Sequence, residues 1–256
     1  MQFNREGGRL SISYDSALCL TREHTKNVVI EICSLAASLE MNSYQCHLAE
    51  AIALLHDIGR FEQFFRYHTY SDSDSVDHAV LGADIAERTG IVKMLAADEQ
   101  ELIRNCIVNH NRVCIPADED LNGIHFLRLL RDADKIDILH AVTEHYAGFS
   151  RNEAITADFP DRPEVADPVV ASVMQGREVR ISDVVSLNDF KLLQVGWVYD
   201  CNFPHTFAIL KKRGYIDKLA AVLPQKNHIA TAIHTAQRYL ERRCREERRG
   251  CGCLIP

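Results

Sequence analysis

The amino-acid sequence predicts an all-α protein. In most long segments the apolar residues recur three and four positions apart, the spacing that lines one face of a helix, and strands of alternating polarity are hard to find. The chain has 256 residues, of which 46% are hydrophobic and 25% charged, with 12 Gly and 7 Pro. This composition excludes disordered and collagen-like chains, and the length is ample for one hydrophobic core. We therefore expect a single helical domain over residues 1–256.

Two helices are predicted in the N-terminal part of the chain. The first follows Thr21, which we expect to cap it, and ends near Met41–Ser43. Its apolar stripe consists of Val28, Ile32, Leu35, Ala36 and Leu39. The second helix runs from about Gln45 to Leu55 and ends at the sequence His56-Asp57-Ile58-Gly59.

Three more helices are predicted in the middle of the chain. Ser75-Val76-Asp77 opens one of them, and Gly90 lies beyond its end, because these residue types are typical of helix starts and stops. The next two cover roughly residues 98–109 and 125–146. The acidic run Asp72–Asp77 lacks the Gly and the closing Glu of an EF-hand calcium loop, so a turn followed by a helix cap is the favoured interpretation.

A proline-bearing segment at about residues 157–168 is the candidate boundary within the chain. Its prolines, which favour a loop, are Pro160, Pro163 and Pro168. Beyond it we expect two or three further helices over about 169–249, the last from about Asn227 to Arg249. This part is too short and too helical to look independent, so we expect it to pack on the first part as an extension.

The charge of the chain argues against sequence-independent nucleic-acid binding. Lys and Arg total 29 against 36 Asp and Glu, a formal net charge of −7, whereas such binding relies on dense basic surface. A cluster of arginines interleaved with glutamates is typical of a solvated helix face; its members are Arg242, Arg243, Arg245, Arg248 and Arg249. We therefore expect no nucleic-acid partner.

The sequence also predicts a cytoplasmic protein with no membrane partner. No apolar stretch approaches the roughly 18 to 20 residues of a membrane helix, and the N-terminus lacks the apolar region of a secretory signal. The 9 Cys, an odd number, favour reduced thiols. Cys251-Gly252-Cys253 is interpreted as part of a frayed tail rather than a prenylation or metal motif.

Histidines and carboxylates stand where they could act as metal ligands. His56 and Asp57 lie side by side at the end of an apolar helix, and Asp134 lies among apolar residues, where a carboxylate needs a partner or a cation. Three further histidines, near helix starts and ends, are His24, His78 and His110. Imidazole and carboxylate together suit Mn, Fe, Co, Ni and Zn rather than Ca. Since one carboxylate can bridge two cations, six such residues are enough for a two-metal site.

Most of these residues have a simpler interpretation when taken alone. His24 and His110 could each be a helix-cap or core histidine, and His78 could belong to a helix cap. Arg60 could be an ordinary surface arginine. The order and spacing of the whole set favour the metal interpretation.

That order resembles the HD-domain superfamily of metal-dependent phosphohydrolases. The resemblance covers about residues 20–145 and rests on a histidine, a His-Asp pair and an aspartate, each on its own helix. Three segments sharpen it, namely His56–Arg60, Asp77–Gly82 and Arg131–Lys135. It implies an HD helical bundle with extra C-terminal helices over about 169–249.

The resemblance also implies a ligand set. His24, His56, Asp57 and Asp134 match the ligands of a first metal. Asp57 would bridge to a second metal, as in the binuclear branch of the superfamily, and the further ligands of that metal would be His78 and His110. We therefore expect one or two divalent ions, of Mn, Fe, Co, Ni or Zn, with Mg also allowed. The chain lacks the Gly-Tyr-Pro motif of HD-GYP enzymes, so no cyclic-dinucleotide specificity is implied.

The resulting hypothesis is a hydrolase of a small phosphoester, with nucleotides among the candidates, that uses a metal-activated water. Asp57 and Arg60 are the catalytic candidates, and Arg60 would hold phosphate oxygens. Two alternatives stay open: a di-iron oxygenase of the HD type, and a non-catalytic ligand-sensing module. The expected partner is a small phosphorylated substrate, and the sequence does not reveal the oligomeric state.

Overall fold

The computed structural model describes residues 14–116, 120–149 and 159–250, with side chains described to residue 246. Within these ranges the regular secondary structure is helical and no strand occurs, which confirms the predicted all-α class. Residue contacts divide the chain into two compact units, Met1–Asp137 and Ile138–Pro256. The expectation of a single domain with a C-terminal extension stays a prediction.

The first unit is a bundle of long helices. Helix α1 packs on α2, α3 packs on α4, and α4 packs on α5. The helices, of which the last continues into the second unit, are α1 (Tyr14–Ser38), α2 (Ser43–Leu55), α3 (Ile58–Tyr67), α4 (His78–Thr89), α5 (Ala97–Asn109) and α6 (Leu121–Tyr146). Of the predicted apolar stripe, Val28, Ile32, Leu35 and Ala36 are fully buried, whereas Leu39 lies just beyond the end of α1 and is half-buried.

Capping residues determine where two of these helices begin. Asn42 caps α2, and its side chain and that of Gln45 accept each other's backbone N–H groups in a capping box. Asp77 caps α4 by accepting the backbone N–H groups of Ala79 and Val80. Helix α4 ends at Gly90, whose φ of 68° is left-handed. The predicted start and stop of this helix are confirmed.

The predicted start of the first helix is wrong. Helix α1 already includes Tyr14, so Thr21 lies within the helix and His24 is far from its N-terminal turn. Thr21 satisfies its hydroxyl by donating to the Ala17 carbonyl one turn earlier, at 3.3 Å. A threonine can cap a helix or bond back to the preceding turn, and the residue alone does not distinguish these roles.

A separate helix, α3, follows the His56-Asp57 pair where the sequence predicted only a helix end. The chain turns at this pair and becomes helical again from Ile58. Gly59 allows α3 to approach α4, because a Cβ at this position would lie 2.0 Å from the His78 carbonyl oxygen. The absence of a side chain at Gly59 thus brings the start of α4 close to the His-Asp pair.

The second unit contains shorter helices packed around the long C-terminal one. Helix α11 contacts both α7 and α9. The helices after α6 are α7 (Asp167–Met174), α8 (Leu187–Gly196), α9 (Pro204–Arg213), α10 (Tyr215–Ala221) and α11 (Asn227–Gly250). They exceed the two or three predicted, because helices of seven to ten residues show too few periods to be separated by pattern.

Pro168 corrects one end of the predicted loop. It lies in the first turn of α7, where a missing N–H costs nothing because that group has no helical partner anyway. Residues 159–166 of the predicted loop are not helical.

Two further properties of the described residues concern the cysteines and the length of the apolar helices. Every cysteine there is a free thiol. None of the described helices is both long enough and apolar enough to cross a bilayer. The tail that contains Cys251 and Cys253 lies outside the described residues.

Candidate metal centre

The six predicted ligands come together in the first unit. They are supplied by the interior of α1, the turn between α2 and α3, the start of α4, the end of α5 and the middle of α6. In that order they are His24, His56 with Asp57, His78, His110 and Asp134. The histidines and aspartates that the sequence pattern singles out thus come from five separate places in the bundle.

We call His24, His56 and Asp134 the first half of the centre. The Nε2 atom of His24 lies 3.2 Å from Asp134 Oδ1 and 3.3 Å from His56 Nε2. Oδ2 of Asp57 is 3.6 Å from His24 Nε2 and 3.8 Å from His56 Nε2. Nitrogen and oxygen ligand atoms within such distances of one another can hold a single cation.

His78 and His110 form the second half. Their Nε2 atoms are 3.1 Å apart. The other carboxylate oxygen of Asp57, Oδ1, lies 3.2 Å from His78 Nε2 and 3.6 Å from His110 Nε2. Asp57 therefore directs one oxygen to each half, which is the arrangement a bridging carboxylate requires.

Carboxylates orient one histidine of each half. Asp137 Oδ2 lies 2.7 Å from His24 Nδ1, and Asp72 Oδ2 lies 2.8 Å from His78 Nδ1. An ionised carboxylate only accepts hydrogen bonds, so each Nδ1 donates its hydrogen. In the neutral imidazole the lone pair is then on Nε2, which faces the centre.

Backbone carbonyls orient the other two histidines. His56 Nδ1 donates to the Ala53 carbonyl and His110 Nδ1 donates to the Ile107 carbonyl, each at 2.7 Å. Both acceptors lie three residues upstream, near the C-terminal end of a helix whose last carbonyls need donors. The Nε2 lone pairs of these histidines face the centre as well.

This donor set fits a metal ion. Two neutral imidazoles cannot hydrogen-bond through Nε2 atoms that both carry lone pairs, yet His78 and His110 hold theirs 3.1 Å apart. The side chains of His56, His78 and His110 are at most 3% exposed, so water does not separate them from one another. The two lone pairs repel each other at this distance. A cation or a proton between the nitrogen atoms would remove the repulsion, because both lone pairs could then bind to it.

The pKa values describe the metal-free centre. Burial opposes charge on His24, but the hydrogen bonds that its ring donates to Asp134 and Asp137 outweigh burial and raise the pKa of His24 to about 10. The pKa of His78 is raised as well, since Asp57 and Asp72 outweigh its burial. Without metal, therefore, a proton at His24 occupies the place that a cation would take, and His78 is protonated more readily than an ordinary histidine.

The pKa of His56 moves in the opposite direction. Complete burial lowers it to about 4, with Asp57 opposing that shift. Burial would raise the pKa of Asp57, but His56 and the hydrogen bonds from His110 and His78 keep it well below its ordinary value. His56 is thus neutral and Asp57 ionised at neutral pH, the forms in which both bind metals.

Arg60 lies beside the second half. Its Nη1 donates to the Tyr70 carbonyl at 2.6 Å, to Gln63 Oε1 at 3.1 Å and to Asp72 Oδ1 at 3.3 Å. Its Nε is 3.6 Å from Asp57 Oδ1. The structure therefore places Arg60 at the centre, and its role towards a substrate stays a prediction.

Sequence reasoning missed the residues that support the ligands. Asp137 follows Asp134 by three positions on α6, a spacing that puts both on one helix face and could have revealed it. Asp72 lies in the acidic run for which the sequence predicts a turn, and it does form a short 3-10 turn there. Arg131, from α6, donates to the His110 carbonyl at 3.2 Å and so supports the second half. That contact depends on tertiary structure and has no sequence signal.

Comparison with known proteins agrees with this geometry. A family model described as "HD domain" matches residues 21–142, which contain all six predicted ligands. The comparisons with curated proteins and with solved structures found no match. HD domains bind divalent metal ions and make up a superfamily of metal-dependent hydrolases. Residues 21–142 of this chain are accordingly an HD domain.

Proposed function

We propose that this protein is a phosphohydrolase that cleaves a small phosphoester with two divalent cations. The observation that carries the proposal is Asp57, whose two oxygens face two separate sets of ligands. Cations bound there would supply a nucleophilic water at neutral pH and neutralise charge on the phosphoryl group. Six converging ligands also speak against a non-catalytic sensing module, which could dispense with a complete set.

The exposure of the ligands indicates where a substrate would approach. The side chains of His24 and Asp134 are 21% and 17% exposed, whereas that of His56 is fully buried. Solvent therefore reaches the centre beside Arg60, whose side chain is 22% exposed, and along the His24–Asp134 edge of the first half. A small phosphoester would reach the centre from this edge, and the buried histidines would keep water out from behind.

Arg60 is positioned to neutralise charge on the substrate. Its side chain is 22% exposed, and the hydrogen bonds through Nη1 hold the guanidinium beside Asp57. Among the described residues, no hydrogen bond uses Nη2 of Arg60. This nitrogen can donate to a phosphoryl oxygen while Nη1 keeps its protein partners.

A substrate screen tests the proposed reaction. Chelator-stripped protein would be reloaded with Mn, Fe, Co, Ni, Zn or Mg and tested on phosphomonoesters, phosphodiesters and nucleotides, with His56→Ala as the inactive control. We expect phosphate release that depends on metal. Turnover of none of these substrates, together with consumption of O2 by the iron-loaded protein, would replace the hydrolase with a di-iron oxygenase.

The role of Arg60 is tested by Arg60→Ala. We expect kcat/KM to fall about 10- to 100-fold while the bound metal stays at the wild-type level, because the side chain would contact substrate and not the cations. Arg60→Lys should recover part of the loss, since it restores the charge but not the planar fork. Wild-type kinetics in Arg60→Ala would make its role purely structural.

Two further expectations belong to this proposal. The partner would be a small phosphorylated molecule rather than a nucleic acid. A cytoplasmic location is in keeping with the free thiols of the described residues.

A further inference from the structure

A second site is suggested by a cavity in the second unit, which contains none of the six metal ligands. The cavity has a volume of about 800 Å³ and lies between α11 and the C-terminal end of α7. Three arginines and two tyrosines line it, namely Arg238, Arg242, Arg245, Tyr199 and Tyr239. Cavities of this size are typical of sites for small organic ligands.

The arginines make the cavity locally cationic in a chain of net charge −7. Arg238, Arg242 and Arg245 follow one another at spacings of four and three residues, so they share one face of α11. Glu246 lies 3.8 Å from Arg242, and Glu241 lies 3.4 Å from Arg245. These are exposed pairs, in which the attraction is weak and easily exchanged for another anion.

Arg238 gives the cavity positive charge that no neighbouring carboxylate of the described residues balances. Among the described residues, no carboxylate lies within ion-pair distance of Arg238. Three guanidinium groups therefore line the cavity with two carboxylates to balance them. The expectation that the whole arginine cluster is a solvated helix face also needs one correction, because Arg243 stacks over the Phe207 ring at 4.4 Å and belongs to the packing.

The two tyrosines provide flat, fixed aromatic surface. Their ring centroids are 5.0 Å apart, with an angle of 72° between the ring planes. Tyr199 is held in place because its hydroxyl donates to the Val173 carbonyl at 2.8 Å. The Arg242 guanidinium lies 5.2 Å from the centre of the Tyr239 ring. A cation and an aromatic face are thus presented side by side.

We propose that this cavity binds a nucleotide, with the arginines on its phosphates and the tyrosines beside its base. Guanidinium groups bind phosphate oxygens through paired, charge-assisted hydrogen bonds. Aromatic side chains stack on nucleobases of any identity. The site is separate from the metal centre and does not depend on the proposed hydrolase activity.

Calorimetric titration of the full-length, chelator-stripped protein with ADP and with pyrophosphate tests the proposal. We expect ADP to bind, and to bind about fivefold more tightly than pyrophosphate because only ADP carries a base. The double substitution Arg238→Ala with Arg242→Ala should weaken ADP binding by at least about tenfold. Tyr239→Leu should reduce the preference for ADP over pyrophosphate.

Two control variants locate the binding. Arg180→Ala removes the same charge from an exposed arginine of the same unit, 75% exposed and outside the cavity, and should leave the affinity unchanged. His56→Ala alters the metal centre and should also leave it unchanged. Circular dichroism and thermal unfolding verify that each variant is folded.

Several outcomes would overturn the proposal. One is no measurable binding of ADP to the wild type. Another is binding that survives the double arginine substitution but is lost in His56→Ala, which would assign the nucleotide to the metal centre. Equal affinity for ADP and pyrophosphate would reject the base contact, and much tighter binding of a single-stranded oligonucleotide through the same arginines would replace the small ligand with a nucleic acid.

Discussion

The two halves of the metal centre share one mode of support but differ in charge. In each half, one histidine is oriented by a carboxylate and the other by the carbonyl three residues before it. The first half has a carboxylate of its own, Asp134, in addition to its share of Asp57. The second half has only its share of Asp57.

This difference predicts unequal metal affinity. A cation in the first half faces two carboxylates, whereas a cation in the second half depends on the oxygen of Asp57 that the first half does not use. Coulomb attraction inside a protein is much stronger than in water, so an extra carboxylate matters most in a buried centre. We expect the first half to fill first and the second to lose its cation more readily.

The largest effect is expected from His56→Ala. This change removes a fully buried ligand of the first half and with it the orientation of the adjacent Asp57. Activity should fall at least about a thousandfold, since metal activation contributes several kcal/mol to such reactions. Metal analysis should show a large loss of bound cations, with the helical circular dichroism spectrum retained. A variant that kept its full metal content would remove His56 from the ligand set.

His110→Ala separates the two halves. It removes a ligand of the second half only, so the metal content should fall from about two cations per chain to about one. His47→Ala, on the exposed side of α2, is the matched control and should keep both cations. If His110→Ala bound as many cations as the control, the second half would not be a metal site.

The supporting carboxylates should act on one half each. Asp137→Asn should weaken metal binding in the first half, and Asp72→Asn should weaken it in the second, each by roughly 10- to 100-fold. The reason is that each carboxylate fixes the tautomer of one histidine and raises its basicity. Competition with a calibrated chelator measures both affinities. Equal losses in both halves from either substitution would contradict this assignment.

The smallest expected effect is the pH dependence of metal binding. The pKa of His24, about 10, lies above the ordinary 6.5, so between these values a cation must displace a proton from the first half. Apparent affinity should therefore rise about tenfold per pH unit from near neutrality and level off as pH approaches about 10. The same proton stabilises the metal-free fold fully below pH 6.5, and this contribution is lost as pH rises through 10. Measurements on His110→Ala isolate the first half, and an affinity independent of pH would mean that His24 carries no such proton.

The six candidate ligands, which the structure brings close together, could be singled out from sequence because their positions follow local signals. His56 and Asp57 stand at the end of an apolar helix, His110 at another helix end, and Asp134 is a carboxylate on a buried helix. Helix ends and buried helices can be recognised from the order of residues alone. The structure also shows the limit of such signals, since Thr21 has a typical capping side chain but lies inside α1.

The supporting residues and the second cavity could not be predicted in the same way. Asp72 reaches His78 only because the turn over Asp72–Asp74 folds back on the start of α4. Arg238 and Tyr199 are far apart in sequence, and they line the same cavity because α11 packs in the second unit. Such pairs are set by tertiary packing, which leaves no periodic pattern along the chain.

The most direct test of the two-half centre is the number of cations it binds. Chelator-stripped wild-type protein would be titrated with Mn²⁺, and bound metal would be counted together with the protons released. We predict two cations per chain, bound in a tight and then a weaker step, with only the weaker step absent in His110→Ala. Saturation at one cation in the wild type, or a second step that survives in His110→Ala, would contradict the account.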